Sequence, residues 1–125
     1  MTVKYDADKP IYLQIIDRIS KEIVRGVLKP GDKLPSVREM AIQSGVNPNT
    51  IQRTYSEMER MEIVETKRGQ GTFVTENEGM LMRLKKDMET KVVESFVQSM
   101  REIGASKREM VESVERFLEK GENQK

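Results

Sequence analysis

The chain has 125 residues, 36% of them apolar and 34% charged, with a net charge of +1 at pH 7; this is length for one compact domain and a small appendage in a strongly solvated, helix-rich protein. It contains no Cys and no His, which excludes disulfides, thiolate nucleophiles and zinc–thiolate sites and removes the commonest general base and metal ligand. The balance is +2 over residues 1–75 and −1 over residues 76–125 (12 cations against 10 anions, then 10 against 11), so a nucleic-acid footprint must come from where charges sit, not from their sum.

Pro10 suits the first turn of a helix, because its fixed φ and missing N–H cost nothing there. Tyr12, Ile15, Ile16, Ile19, Ile23 and Val27 then recur at helical spacing among charged residues, and Gly26 marks the expected stop. Lys29-Pro30-Gly31-Asp32 is a turn by composition. Ser36-Val37-Arg38-Glu39 fits a capping box that opens a second, shorter helix, with Val37, Met40 and Ala41 on its apolar face. Gly45 ends it. A third helix follows almost at once, capped by Asn47, opened by Pro48 and striped by Ile51, Tyr55 and Met58.

After Met61 the period shortens. Ile63 to Thr66 and Thr72 to Thr75 are β-prone runs flanking Lys67-Arg68-Gly69-Gln70-Gly71, and two glycines between such runs predict a hairpin. Residues 76–79 look like a linker. Leu81, Leu84, Met88, Val92, Phe96, Met100 and Ile103 predict a helix of about six turns, roughly 33 Å long. Ser106-Lys107-Arg108-Glu109 is a second capping box, and Met110, Val111, Val114, Phe117 and Leu118 stripe a last helix, beyond which residues 121–125 are expected to fray. The expected fold class is mainly α with a small β-hairpin. It comprises a winged helix-turn-helix over residues 1–75, a linker over 76–79 and a helical dimerisation tail over 80–125.

Two short helices joined by a tight Gly-containing turn form a helix-turn-helix. Ala41 is small where the helices cross, Gly45 permits the turn, and Ile51 packs back between them. Two packed helices that touch no nucleic acid would share these features. The outer face of the third helix favours DNA. Opposite the Ile51/Tyr55/Met58 stripe lie Asn49, Arg53, Ser56 and Arg60, flanked by Thr50 and Gln52. Arg can pair bidentately with guanine, Asn and Gln with adenine, and the Thr methyl can touch that of thymine. Residues near the start of such a helix reach the bases, which points to Asn49, Thr50, Gln52 and Arg53. On that outer surface only Glu57, late in the helix, repels phosphate. Lys67 and Arg68 stand at the foot of the Gly69-Gln70-Gly71 turn, where backbone N–H groups and two cations can meet phosphates or a minor groove.

The run from Gly26 to Glu39 resembles the opening motif of the GntR family of bacterial regulators. Gly45-Val46-Asn47-Pro48-Asn49-Thr50-Ile51 and Arg68-Gly69-Gln70-Gly71-Thr72-Phe73-Val74 resemble that family's recognition-helix start and wing. The Asn-Pro-Asn-Thr start and the short tail are similar to the YtrA subfamily. The resemblance implies DNA contacts from Ser36 and Arg38 on the second helix. It implies others from Asn47, Asn49, Thr50 and Arg53 at the recognition helix, and a minor-groove approach by Gly69 and Gly71. Some other subfamilies carry a basic residue at the place of Pro48 and Arg at that of Gln52, so no operator sequence transfers. The resemblance also links such regulators to transporter operons and to antibiotic or envelope stress.

GntR regulators usually carry a larger C-terminal effector domain; residues 80–125 are too few to enclose a drug-sized pocket and form a core as well. Two amphipathic helices bury an apolar stripe against each other and something else. Val93 and Val97 beside Val92 and Phe96 make a second strip. A homodimer joined through Leu81, Leu84, Met88, Val92, Phe96, Met100, Val114, Phe117 and Leu118 is the economical arrangement, since a two-fold dimer presents two recognition helices to a pseudo-palindromic operator. The alternative is a tail packed on its own winged helix.

The expected function is a cytoplasmic DNA-binding transcriptional regulator acting as a repressor. Double-stranded DNA and a second copy are its partners, with no membrane, cofactor or metal, and whether a small-molecule effector exists is left open. No apolar run approaches the about 18–20 residues of a membrane span, and MTVKYDADKP has no signal-peptide pattern. Two rivals are a winged helix that binds protein or RNA, whose third helix would present an apolar or acidic outer face, and an enzyme, which would need a convergent catalytic pair. Activation stays open beside repression.

Overall fold

The computed structural model describes residues 4–123. The chain separates into two compact units, the first ending at Lys85 and the second starting at Lys86.

The first unit opens with α1 (Ile11–Val24), for which Pro10 serves as the N-cap residue, just outside the helix. Ile15, Ile16, Ile19 and Ile23 form its buried stripe. Val27 does not extend that stripe. The helix ends at Val24, Gly26 turns the chain at φ +82°, and Val27 is 58% exposed. The N–H groups of Val27 and Leu28 instead both donate to the Glu22 carbonyl, at 2.9 and 3.0 Å, closing the helix end.

The capping box forms as expected. Ser36 Oγ accepts from the Glu39 N–H at 3.1 Å and Glu39 Oε1 from the Ser36 N–H at 2.9 Å, opening α2 (Val37–Ser44). Gly45 takes the left-handed C-cap at φ +67°, a conformation that costs a side-chain-bearing residue about 1 kcal/mol or more. Asn47 then caps α3 (Pro48–Arg60), with Oδ1 accepting from the Asn49 N–H at 2.8 Å. Ala41 and Ile51 are buried, as are Thr54, Tyr55 and Met58 on the inner side of α3. The Tyr55 hydroxyl donates to the Pro35 carbonyl at 2.7 Å, and burial pushes its pKa up to about 12.

Polar bonds add to this apolar core. Arg18 Nη2 donates to Ser44 Oγ at 2.7 Å, and the Tyr5 hydroxyl donates to the Ser44 carbonyl at 2.7 Å. The N-terminal segment is also held to α1 by Gln14. Its Oε1 accepts from the Asp6 N–H at 2.7 Å, and its Nε2 donates to the carbonyls of Asp6 and Lys9 at 2.7 and 2.9 Å.

The hairpin pairs β1 (Val64–Lys67) with β2 (Gly71–Val74) antiparallel, in the register Val64↔Val74 to Lys67↔Gly71. Both strands sit one residue nearer the turn than expected; Ile63 lies just ahead of β1, its N–H donating to the Met58 carbonyl at 3.2 Å and its carbonyl accepting the Thr75 N–H at 3.0 Å. Lys67 is thus a strand residue, and the loop is Arg68-Gly69-Gln70. The sequence pattern did not signal a third line of backbone pairing. Leu34 N–H bonds the Thr72 carbonyl at 2.8 Å, Val74 N–H the Asp32 carbonyl at 2.8 Å and Gly31 N–H the Val74 carbonyl at 2.9 Å. Lys33 bridges Phe73 antiparallel, and Leu34 is buried.

Expected linker residues 78 and 79 are already helical, since Asn77 caps α4 (Glu78–Glu102), its Oδ1 accepting from the Met80 N–H at 3.2 Å. Leu84 is buried within the first unit. The second unit comprises the rest of α4, a turn at Gly104 (φ +77°) and α5 (Lys107–Asn123). The second capping box forms here too. Ser106 Oγ accepts from the Glu109 N–H at 3.2 Å, and Glu109 Oε1 from the Ser106 N–H at 2.9 Å. Phe96 and Met100 of α4 and Val114, Phe117 and Leu118 of α5 line one shallow apolar cleft. The end expected to fray remains in α5 through Asn123; Gln124 and Lys125 lie outside the described residues.

Candidate nucleic-acid interface

Successive residues of a helix point about 100° apart, so the polar surface of α3 divides between two neighbours. Gln52, Ser56 and Glu59 turn towards an open groove whose other walls are the start of α2 and the hairpin. Gln52 Nε2 donates to Ser56 Oγ at 3.3 Å. Arg53 turns the other way, its guanidinium 3.9 Å from the ring centroid of Tyr12 in α1. Asn49 is exposed, and Thr50 is half-buried with its carbonyl accepting the Thr54 hydroxyl at 2.8 Å.

The two capping residues differ in what they keep for an external acceptor. Ser36 and Asn47 spend oxygen lone pairs on their helices, which leaves the Asn47 amide free to donate and the Ser36 hydroxyl hydrogen facing the Glu39 carboxylate. The Asn47 amide has no acceptor among the described residues. Arg38 is exposed at the second position of α2. In the hairpin, Arg68, Gly69 and Gln70 are exposed, and the Lys67 ammonium rests over the Phe73 ring at 4.9 Å.

Lys33 went unnoticed in the sequence because the Pro30-to-Pro35 segment carries no strand pattern. It lines the groove, and its side chain crosses Gly71, where an added Cβ would lie 2.8 Å from Lys33 Cε. Two carboxylates share the groove and were also missed as part of this surface. Glu59 is bound to the Thr66 N–H at 3.0 Å. Glu39 is held below the usual carboxylate pKa by the Ser36 backbone N–H first, and then by the Ser36 hydroxyl. Late in α3, Arg60 pairs with Glu57, so those charges cancel locally. Neither α1 nor α3 has an acidic residue in its first turn, which leaves the positive ends of both helix dipoles open to an anion.

A helix-turn-helix with its third helix outward, flanked by a hairpin, is a winged-helix DNA-binding domain. Residues 11–74, just over half of the chain, match the family model described as bacterial regulatory proteins, gntR family. The chain belongs to the GntR family. It is 57% identical over 121 residues to the uncharacterized HTH-type transcriptional regulator YhcF of Bacillus subtilis, covering 97% of this chain and all of that protein. It is 42% identical over 92 residues to the HTH-type transcriptional repressor YtrA of the same organism, covering 69% of this chain and 71% of YtrA. Among solved structures, a GntR family regulator from Listeria monocytogenes superposes with a TM-score of 0.85 at 42% identity, covering 90% of this chain and 98% of that one. The DNA-binding domain of AraR in complex with operator ORE1 superposes at 0.52 and 27% identity, covering 60% of this chain and 94% of that one. Like these GntR relatives, the chain is a YtrA-like transcriptional regulator with a DNA-binding helix-turn-helix.

The nine residues expected to join two subunits fall into three groups by exposure. Leu84 is buried and belongs to the first unit. Leu81, Met88 and Met100 are half-buried. Val92, Phe96, Val114, Phe117 and Leu118 are exposed, Phe117 by 77%.

Proposed function

We propose that the protein is a cytoplasmic repressor that binds a two-fold symmetric operator as a homodimer. In this reading Asn49, Thr50 and Gln52 meet base edges in the major groove. Ser36, Arg38, Asn47, Arg53 and Lys67 meet phosphates, and Arg68, Gly69, Gln70 and Gly71 approach the neighbouring minor groove. Lys33 joins them at the base of the wing. A bound dimer occludes a promoter from polymerase.

The observation that carries the dimer is the apolar surface of the second unit. Val92, Phe117 and Leu118 are each more than half exposed, and side chains of that size lose about 1.5–3 kcal/mol each when left in water. A second copy covers them with the same surface, by symmetry. Repression is supported by the likeness to YtrA, described as a repressor.

The test is selection of bound duplexes from a random-sequence pool by the purified protein, with sedimentation of the free and bound forms. An inverted-repeat motif and a dimer are expected. A single half-site motif bound by a monomer would sink this reading.

A further inference from the structure

We propose that Tyr12 is a positioning residue for DNA binding: its ring holds Arg53 as a phosphate clamp, away from the base edges. The inference rests on the DNA-binding role of α3 and assigns that helix's second turn a division of labour.

Gln52 and Arg53 are adjacent, so their side chains diverge by about 100°. Gln52 is drawn into the groove beside the wing by its bond to Ser56. Arg53 lies on the opposite flank, 3.9 Å from the Tyr12 centroid. The obvious competitor for its charge is Glu57, one turn on, but that carboxylate is paired with Arg60. Arg53 forms no ion pair among the described residues. A guanidinium stacked on a ring keeps its in-plane N–H donors while losing rotamer freedom in advance, an arrangement suited to the fork of two phosphate oxygens. The half-buried Tyr12 stands in the first turn of α1, which carries no acidic residue, so the helix dipole adds to the attraction. The upstream Asp6 carboxylate is occupied by the Asp8 N–H at 2.9 Å. To read a base, Arg53 would have to leave the ring, losing a contact that stabilises it by about two- to fivefold at an exposed site.

Affinities for the random-sequence duplex pool across a salt series, together with the enriched motif, test this in the full chain. Arg53→Ala should flatten the slope of log K against log salt by about 0.9 per protomer and leave the motif unchanged. Tyr12→Leu should weaken binding by about two- to fivefold, and Tyr12→Phe, which keeps the ring face, should bind as the native protein does. The double variant Tyr12→Leu/Arg53→Ala should be no weaker than Arg53→Ala alone, whereas a merely structural Tyr12 would make the losses add. Should Tyr12→Leu fail to fold, Arg53→Lys serves instead: it keeps the charge without the planar stack, and should weaken binding at an unchanged slope. A motif relaxed at one base pair with the slope intact in Arg53→Ala overturns the proposal. So do native affinity in Tyr12→Leu or in Arg53→Lys, and additive losses in the double variant. Native protein that binds no duplex overturns the DNA reading itself.

Discussion

The Glu59 carboxylate accepts the backbone N–H of Thr66 at 3.0 Å, so the wing is tethered to the recognition helix by a residue of that helix. The bond costs charge: a carboxylate faces the groove that meets DNA. Glu59→Gln keeps an acceptor and removes the charge, so its DNA affinity should rise. Glu59→Ala removes both, and amide hydrogen exchange at Thr66 should accelerate in this variant alone. Equal exchange in the two variants would show that the tether is idle.

Tyr55 joins α3 to the chain ahead of α2 through the Pro35 carbonyl. Tyr55→Phe should lower stability by about 0.5–1.5 kcal/mol, measured by denaturant unfolding. Because the folded-state pKa is raised to about 12, the neutral phenol is the form that folding favours. Its contribution is whole below pH 10 and is lost as pH rises through about 12. The Phe variant should lack that alkaline component, and a difference titration of tyrosinate absorbance between the two proteins should place it near pH 12.

Gly71 has φ +121°, and a Cβ there would meet Lys33 Cε at 2.8 Å. Lys33 can swing aside but the backbone cannot relax as easily, so Gly71→Ala should cost about 1–3 kcal/mol and weaken DNA binding through the wing. Gly121→Ala, with nothing within 4 Å of the new Cβ, should be neutral or gain up to about 1 kcal/mol from helix propensity. Thermal melts of the pair separate backbone strain from a general intolerance of substitution.

Leu84 and Phe117 sit on similar stripes and should respond oppositely. Leu84→Ala opens a cavity in the first unit, which should lose about 2–5 kcal/mol with the oligomeric state unchanged at low temperature. Phe117→Glu should leave the winged helix folded by circular dichroism and shift sedimentation to the monomer. A dimeric Phe117→Glu variant would move the interface elsewhere.

Where local chemistry acts alone, the fold could be read from the residues. Both capping boxes, the Gly45 cap and the Asn47–Pro48 start fell where their side chains required. What escaped depends on neighbours distant in the chain. Gly31 to Leu34 pairs with β2 although it has neither alternation nor β-branched residues, because the edge of a two-stranded hairpin offers unpaired backbone groups. Leu84 shares the spacing of the exposed tail residues, and periodicity cannot tell which part of a stripe the first unit covers. In the interface, helical spacing identified the polar face of α3 but not its division between Tyr12 and the wing. It also missed Glu59 and Glu39, which point into the groove while serving backbone N–H groups.

The bonds at Ser44 carry a consequence for how such regulators diverge. Arg18 and Tyr5 reach this one residue from two places ahead of the helix-turn-helix, fixing the end of α2 on the inner side of the domain. None of the three is among the outward residues Asn49, Gln52 and Arg53. Mounting and alphabet thus lie at separate positions, so surface substitution at the outward residues can change which operator is recognised without breaking the bonds that hold α2.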